Sequence, residues 1–193
     1  NDEEHFYSVR DWDRNPVEYA RLTKIQKAAR IIYLNKTCYN GLFRVNNAGE
    51  FNTPFGHYKN PNIVNAPTLK AVSLYFNTAD ISFTTGDYSR ALENVKKGAF
   101  VYLDPPYDPV SSTANFTGYT KSGFGKEEQI RLREVCDELN CKGIKFMLSN
   151  SATDFIKEQY KNYNMIVVRA KRTINSNAEK RGQVDEVVIR NYE

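Results

Sequence analysis

Apolar positions recur at helical spacing in the amino-terminal part of the chain. Asn15 can cap a helix, Pro16 suits its first position and Glu18 completes a pattern like that of a capping box, so a helix is predicted to start here. The spacing predicts that this helix runs to about residue 38. Its apolar stripe consists of Leu22, Ile25, Ala29 and Ile32. Three cations lie off that stripe and are expected to form a solvated basic face: Lys24, Lys27 and Arg30.

The pattern changes between residues 39 and 58. Apolar and polar residues alternate there on both sides of an Asn-Asn-Ala-Gly sequence at residues 46–49. Alternation around such a turn signal predicts a β-hairpin, here over residues 42–58, with Pro54 and Gly56 in its later part. A second helix is predicted over about residues 66–77.

From residue 80 onward, strand-like and helix-like segments alternate. Predicted strands cover residues 81–84, 100–103, 145–148, 165–169 and 186–190, and predicted helices cover about residues 125–141 and 152–160. The longer helix has one apolar stripe, formed by Leu132, Val135, Cys136 and Leu139. This alternation predicts an α/β fold with a largely parallel sheet and with sites at the carboxyl ends of its strands.

Composition narrows the class of protein. A chain of 193 residues can form one domain, or one domain with a small module. No apolar run reaches the length of a membrane span, and no secretory signal is evident, so we expect no membrane association. The three cysteines lack metal-ligand spacing and only two histidines are present, so we expect free thiols, no metal and a cytoplasmic protein.

The charge and the aromatic content of the chain are compatible with two interpretations. The formal net charge is +4, and the chain contains 13 Tyr and 11 Phe. A basic, aromatic-rich chain suits a nucleic-acid-binding protein, but a tyrosine-rich core has the same composition.

The most specific chemical signal is the Asp-Pro-Pro-Tyr sequence at residues 104–107, directly after the predicted strand 100–103. Two prolines remove two backbone donors and restrict φ, which leaves carbonyl groups directed outward beside the Asp104 carboxylate and the Tyr107 ring. Two acceptors can hold the two N–H groups of an exocyclic base amine and direct its lone pair at an electrophilic methyl group, while a ring stacks on the base. The alternative is a proline turn in which Asp104 serves as a cap.

Several blocks resemble the Dam-type adenine methyltransferases, which act on GATC sites in DNA. They occur in the family's order: residues 39–44, 50–56, 58–61, 104–119, 148–150 and 184–192. The resemblance implies S-adenosylmethionine as the methyl donor and an adenine that leaves the duplex stack. It also implies a monomer, bacterial or phage-type, that acts on double-stranded DNA.

The resemblance assigns roles to individual residues near the strand ends. Asp104 and the carbonyl of Pro105 would hold the adenine amine, Pro106 completes the catalytic motif, and Tyr107 would stack on the base. Asp104 and a Gly-Asp-Tyr segment are implied in cofactor binding, the latter through Asp87 and Tyr88. The alternative is that Asp87 is only a turn residue.

The resemblance also identifies the predicted hairpin as a target-recognition element. Arg44 matches an arginine that reads a guanine in the major groove, and an arginine fork on guanine is the commonest specific contact. The other residues implied in DNA contact are Tyr39, Asn40, Leu42, Pro54, His57, Tyr58, Lys59, Asn115, Arg172 and Arg181. Asn115 belongs to residues 111–119, which resemble a loop that closes over the target base. The residues alone would favour core positions for Tyr39 and Leu42 and a surface charge for Arg44. For Arg172 and Arg181, phosphate contact and plain solvation both stay open.

The family's amino-terminal glycine-rich cofactor segments have no match here, and Trp12 is not followed by glycines. We therefore expect residues 1–79 to form a helical target-recognition domain with a hairpin. Residues 80–193 are expected to form the carboxyl-terminal part of an incomplete Rossmann-like methyltransferase domain. Such a chain is expected to bind S-adenosylmethionine weakly alone, and a non-catalytic DNA-binding fragment is the alternative function.

Other classes of amino-methyltransferase are the remaining alternative functions. Cytosine-amine enzymes more often carry Ser in place of Asp104, and glutamine methyltransferases carry Asn, so the aspartate favours adenine. A role in a restriction-modification system and a solitary role both stay open.

Overall fold

A computed structural model describes residues 1–110, 124–171 and 183–193, with only the backbone described at 170, 171, 183 and 184. The chain divides into two compact units, Asn1–Phe83 and Thr84–Glu193. Each unit has its own cluster of buried apolar side chains.

The described part of the first unit is helical. Its helices are α1 Glu3–Arg10, α2 Pro16–Arg21, α3 Lys24–Thr37 and α4 Ala66–Thr78, with 3-10 turns at Asp11–Arg14 and Tyr39–Gly41. Side-chain caps at Asp2, Asn15, Thr23 and Asn65 begin the four α-helices. The predicted start at Asn15 and the predicted helix at residues 66–77 are confirmed. The sequence reasoning missed α1, although Asp2 before Glu3 and Glu4 is an N-terminal helix signal.

The prediction of a single helix from residue 15 to about residue 38 is wrong, because the helix is interrupted at Leu22. Leu22 is extended, with φ −64° and ψ 137°. Thr23 then starts α3 with a capping box, in which its side chain accepts from the Gln26 backbone and the Gln26 side chain accepts from the Thr23 backbone. This local exchange satisfies donors that a continuous helix would have bonded internally, so two helices replace one.

The predicted faces of α3 are also wrong. Its buried residues are Arg30, Leu34 and Thr37, whereas Ile25 is 81% exposed. Arg30 was expected on a solvated face, but its guanidinium donates to the Val9 and Arg10 carbonyls and pairs with Asp13 at 2.8 Å. These acceptors compensate the burial of its charge, which is why a cation can occupy the inner face.

Residues 39–58 contain a turn with isolated bridges instead of the regular hairpin strands predicted for 42–58. Val45 pairs with Phe51 across the turn, and Cys38 pairs with Phe55, both antiparallel. Backbone bonds from Asn46 to Glu50 and from Asn52 to Arg44 also join the two arms. Asn46 Oδ1 closes the turn, because it accepts from the backbones of Ala48 and Glu50.

The second unit contains a four-stranded sheet. Its strands are β1 Phe100–Leu103, β2 Lys145–Ser151, β3 Asn164–Lys171 and β4 Gln183–Arg190, in the order β1-β2-β4-β3. Helices α5 Tyr88–Leu92, α6 Lys126–Cys141 and α7 Asp154–Gln159 accompany it. The α/β class and the strands and helices predicted from residue 100 onward are confirmed.

The expected largely parallel sheet is wrong. β1 and β2 are parallel across the α6 crossover, but β4 is antiparallel to both of its neighbours. β4 lies between β2 and β3 and runs in the opposite direction to both. The sheet is therefore mixed, and only its β1–β2 half follows the pattern read from alternating strands and helices.

The strand predicted at residues 81–84 is also wrong. No strand is assigned there, and Phe83 is 72% exposed. A strand requires hydrogen bonds to a neighbouring strand, and no described segment pairs with these residues, so their β-favouring composition alone does not produce one.

The core of the second unit lies between the sheet and α6. Leu132, Cys136 and Leu139 are buried, which confirms the predicted stripe, and they pack with Phe146 and Ile189. All three cysteines of the chain are free thiols, as expected, and burial raises the pKa of Cys136 to about 12. None of the helices in the described ranges combines the length and apolarity that a membrane crossing needs.

Candidate active site

The turn at residues 104–107 begins where β1 ends, next to the parallel strand β2. Leu103 is in register with Leu148, which places Asp104 beside Ser149. The Ser149 hydroxyl donates to Asp104 Oδ1 at 2.9 Å, and the Tyr102 hydroxyl lies 3.1 Å from Ser149 Oγ. Because a carboxylate only accepts, Tyr102 is the donor in the second bond. Asp104 itself is exposed, so its carboxylate is oriented by Ser149 yet open to a ligand.

The two proline carbonyls of this turn differ in their partners. The Pro106 carbonyl accepts a hydrogen bond from Gln129 Nε2 at 2.8 Å. No residue within the described ranges donates to the carbonyl of Pro105. The turn therefore presents one carboxylate and one carbonyl as acceptors, and its other carbonyl is used inside the protein.

Tyr107, the last residue of the turn, is partly buried. Its pKa is raised because burial disfavours the phenolate. The ring therefore stays neutral at physiological pH, which suits stacking on an uncharged base.

A buried polar network lies beneath the turn. Asn150 Oδ1 accepts from the backbone N–H of Asp108 at 2.9 Å, and Asn150 Nδ2 donates to Gln129 Oε1 at 3.0 Å. Thr153 Oγ1 donates to the Asp108 carboxylate at 2.7 Å. Sequence reasoning did not select Gln129, although it is a polar residue in helical register with buried Leu132. A polar residue on an apolar stripe is the signal that could have identified it.

Asp87 and Tyr88, at the start of α5, are tied to α6. Both carboxylate oxygens of Asp87 accept from the Arg131 guanidinium, at 3.0 and 2.6 Å, and Asp87 Oδ1 also caps Ser89. The hydrogen bonds from Arg131 hold the pKa of the Asp87 carboxyl well below its usual range. Arg131 also lies over the Tyr88 ring, 5.0 Å from its centroid. The segment is thus an ordered carboxylate–ring pair.

The first unit brings residues 37–44 alongside residues 51–57. The Tyr39 N–H donates to the Pro54 carbonyl at 2.8 Å, and Arg44 Nε donates to Asn52 Oδ1 at 2.8 Å. Gly56 permits this approach, because a Cβ there would lie 2.7 Å from the Cys38 carbonyl oxygen. Tyr39 and Arg44 are exposed, which for Tyr39 contradicts the core position that its residue type favours.

The other residues expected to contact DNA fall into two groups. Asn40, Pro54, His57, Tyr58 and Lys59 are exposed, and Leu42 is half-buried. Asn40 and His57 have positive φ angles of 53° and 52°. Asn115, Arg172 and Arg181, together with the expected loop at residues 111–119, lie outside the described residues.

The turn at residues 46–49 is anchored to the amino-terminal helices by charged groups. Asp13 Oδ2 accepts from the Phe51 N–H at 2.8 Å and pairs with buried Arg30. Arg14 donates to the Phe51 carbonyl at 2.7 Å and pairs with Glu50 at 3.1 Å. Two arginines and one aspartate thus fix the backbone close to Arg44.

Within the described ranges, no group of three or more His, Cys, Asp or Glu side chains is placed to hold a metal ion.

Comparison with known proteins decides the family. The model for the D12 class N6 adenine-specific DNA methyltransferases matches residues 1–174. This chain belongs to that family. The resemblance drawn from its sequence blocks is therefore confirmed.

Named relatives of the chain include both Type II methyltransferases and a DNA adenine methylase. The Type II methyltransferase M1.LlaDCHI of Lactococcus lactis subsp. cremoris is 39% identical over 192 residues, which cover 100% of this chain and 67% of the relative. The Type II methyltransferase M.MjaIII of Methanocaldococcus jannaschii is 43% identical, covering 98% and 65%. The DNA adenine methylase of Escherichia coli K12 is 36% identical, covering 84% and 58%. The D12-class chain thus spans about two thirds or less of these relatives' length.

Proposed function

We propose that this D12-class chain acts in site-specific methylation of adenine N6 in double-stranded DNA. The methyl group comes from S-adenosylmethionine and is transferred to a flipped adenine in a GATC-like site. The observation that carries the proposal is the pair of acceptors at the end of β1. The Asp104 carboxylate is open to a ligand and the Pro105 carbonyl accepts from no described residue, with the neutral ring of Tyr107 two positions away.

The acceptor pair fits the chemistry of an exocyclic amine. The N6 lone pair of adenine is delocalised into the ring, so the amine is a poor nucleophile. Asp104 and the Pro105 carbonyl accept its two N–H bonds, which favours a tetrahedral nitrogen and localises the lone pair. Tyr107 stacks on the base and fixes its plane. Catalysis then consists of positioning and local electrostatics, with no covalent intermediate on the protein.

S-adenosylmethionine, when bound, supplies the electrophilic methyl group. The residues at the start of α5 fit an adenosyl group, because Asp87 offers a permanently ionised acceptor and Tyr88 an adjacent ring. Each carboxylate oxygen has two lone pairs, so Asp87 can accept from a ligand while it stays paired with Arg131.

Asp87→Ala is expected to weaken cofactor binding by about 10- to 100-fold, since a hydrogen bond to a charged group contributes about 1.5–3 kcal/mol. Isothermal titration of S-adenosylmethionine into the protein from its complete reading frame measures this. Glu93→Ala, which removes an exposed carboxylate just after α5, is the control. Equal affinities of the two variants would refute the assignment of Asp87.

The DNA contacts are proposed for the exposed residues of the first unit. Arg44 reads a guanine, Leu42 and Pro54 contribute apolar contacts, and Tyr39 with Asn40 wedges into the duplex near the flipped base. His57, Tyr58 and Lys59 extend this surface, and Asn115, Arg172 and Arg181 complete the proposed set. Support comes from the exposure of Arg44 and from its side-chain bond to Asn52, which orders a long flexible side chain.

The proposed function is tested with the protein expressed from its complete reading frame. Labelled methyl transfer is measured on a GATC duplex and on duplexes with each base of the site replaced, and the product nucleoside is identified by mass spectrometry. We expect N6-methyladenine in GATC. Methylcytosine would overturn the proposal, and DNA binding in a gel shift without methyl transfer would favour a binding-only protein.

Arg44→Ala is expected to relax discrimination at one guanine by about 1–3 kcal/mol while the other positions keep their preference. Relative kcat/KM on the substituted duplexes measures this. Arg21→Ala is the control, because Arg21 is also exposed and, among the described residues, pairs with Glu18 alone. If the Arg44 variant keeps the wild-type ranking at every position, Arg44 does not read the site.

A further inference from the structure

The peptide groups on both sides of Tyr107 are held by buried side chains. On one side, the Pro106 carbonyl accepts from Gln129 Nε2 at 2.8 Å. On the other side, the Asp108 N–H donates to Asn150 Oδ1 at 2.9 Å. These two groups flank the Tyr107 Cα, so together they fix the backbone from which the ring projects.

The two amides also orient each other. Asn150 Oδ1 accepts from two backbone N–H groups, those of Asp108 and Ser151, so it must be the oxygen. Asn150 Nδ2 then donates to Gln129 Oε1, which leaves Gln129 Nε2 to donate to Pro106. The bonds therefore run in one direction, and the amide at position 129 accepts from Asn150 and donates to the turn without a change of protonation.

Burial makes this arrangement costly unless it is fully bonded. Gln129 is 1% exposed and Asn150 is 0% exposed. Gln129 also occupies a position that an apolar residue would fill, in helical register with Leu132 and Cys136. A buried amide adds little net stability even when it is hydrogen-bonded, and it costs about 1–3 kcal/mol when its partners are lost. The presence of an amide at position 129 is therefore explained by the group that this amide orders.

We propose that Gln129 and Asn150 form an amide clamp that fixes Tyr107 in the orientation that stacks on the target adenine. This inference rests on the proposed adenine methylation. Pro105 and Pro106 restrict their own φ angles, on the amino-terminal side of Tyr107. The clamp fixes the two peptide groups that flank Tyr107, whose orientation those angles do not determine. Gln129 and Asn150 are positioning residues, because they act through Tyr107.

Gln129→Glu tests the direction of the bonds. When the introduced carboxyl is ionised, it still accepts from Asn150 but turns a second acceptor toward the Pro106 carbonyl. When it is protonated, it donates there as the amide did. Burial raises the pKa of such a carboxyl, and so does the carboxylate of Asp108, whose N–H binds the same Asn150 side chain that binds Gln129.

We expect Gln129→Glu to lower kcat about 10- to 100-fold at high pH, as a misplaced reacting group does, and to recover relative to wild type as the pH falls. The Kd for a GATC duplex should stay within about threefold, since the DNA-reading residues are untouched. Glu127→Gln, an exposed position on the same helix, is the control and should keep the wild-type pH profile. A Gln129→Glu profile parallel to that of wild type would overturn the clamp.

Gln129→Met separates positioning from stability. The proposal expects a similar loss of kcat with folded protein, verified by thermal unfolding. A wild-type kcat in Gln129→Met overturns the proposal. A variant in which kcat, DNA affinity and the unfolding temperature all fall together also overturns it, because the loss is then one of stability.

A measurement without DNA or cofactor distinguishes this inference from the proposed function. Hydrogen exchange of the Asp108 amide, followed by NMR, should accelerate about tenfold or more in Gln129→Met relative to wild type and to Glu127→Gln, because the loss of one amide frees the other. Unchanged protection overturns the clamp even if adenine methylation is demonstrated. Accelerated exchange in a protein that methylates no DNA would retain the clamp as a device of the turn and reject only the proposed function.

Discussion

Asp104→Ala is expected to lower methyl transfer by about 10²–10³-fold or more, the loss seen when one preorganised polar group is removed from a reacting centre. The Asp104 carboxylate is oriented by Ser149 and is exposed to the incoming amine. Without it, the Pro105 carbonyl alone cannot hold both N–H bonds, and the lone pair of the amine stays delocalised. Single-turnover transfer on a GATC duplex measures the effect.

DNA binding separates this chemical role from a structural one. Asp104 is exposed and, within the described ranges, its carboxylate accepts one side-chain hydrogen bond. Its loss should therefore leave both the GATC affinity and the unfolding midpoint close to wild type. Asp154→Ala, which removes an exposed carboxylate at the start of α7, is the matched control in the same unit. If Asp104→Ala transfers methyl groups as fast as Asp154→Ala does, Asp104 does not hold the amine.

Arg30→Ala is expected to destabilise the first unit by about 3–5 kcal/mol, the usual cost of removing one partner of a buried ion pair. Arg30 is 3% exposed, and its loss leaves the Val9 and Arg10 carbonyls without their donor and Asp13 with Arg14 as its remaining cation. Since Asp13 also holds the Phe51 N–H, the turn near Arg44 should lose order with it. Urea unfolding gives the free energy.

Arg21→Ala is the control for Arg30→Ala. The ion pair between Arg21 and Glu18 is exposed, and such pairs contribute at most about 1 kcal/mol. Equal free energies of unfolding for the two alanine variants would show that the buried network around Arg30 does not stabilise this unit.

Local patterns predicted the part of the fold in which neighbours in sequence are neighbours in space. The apolar run before Asp104 became β1, and the stripe containing Leu132 and Cys136 became the inner face of α6. The acidic residue and prolines after β1 were recognised because the turn carries its own chemistry in four consecutive residues.

Long-range partners account for what the sequence did not reveal. The position of β4 between β2 and β3 depends on pairing between distant segments, which strand and helix periodicity does not encode. Arg30 was assigned to solvent because its acceptors, the carbonyls of Val9 and Arg10, are 21 and 20 residues away in the sequence and are not visible as a motif. Gln129 was overlooked for the same reason, since its partners are at Pro106 and Asn150.

The crossover from β1 through α6 to β2 has a consequence for how this chemistry can be inherited. Asp104 and its partner Ser149, and Gln129 with its partners Pro106 and Asn150, all belong to that one stretch of chain, and these bonds do not involve β3 or β4. A circular permutation, or an insertion, whose junction falls outside the crossover leaves their mutual geometry intact. The turn at residues 104–107 and the side chains that hold it are therefore encoded in one contiguous segment, whose place in the gene can change without separating them.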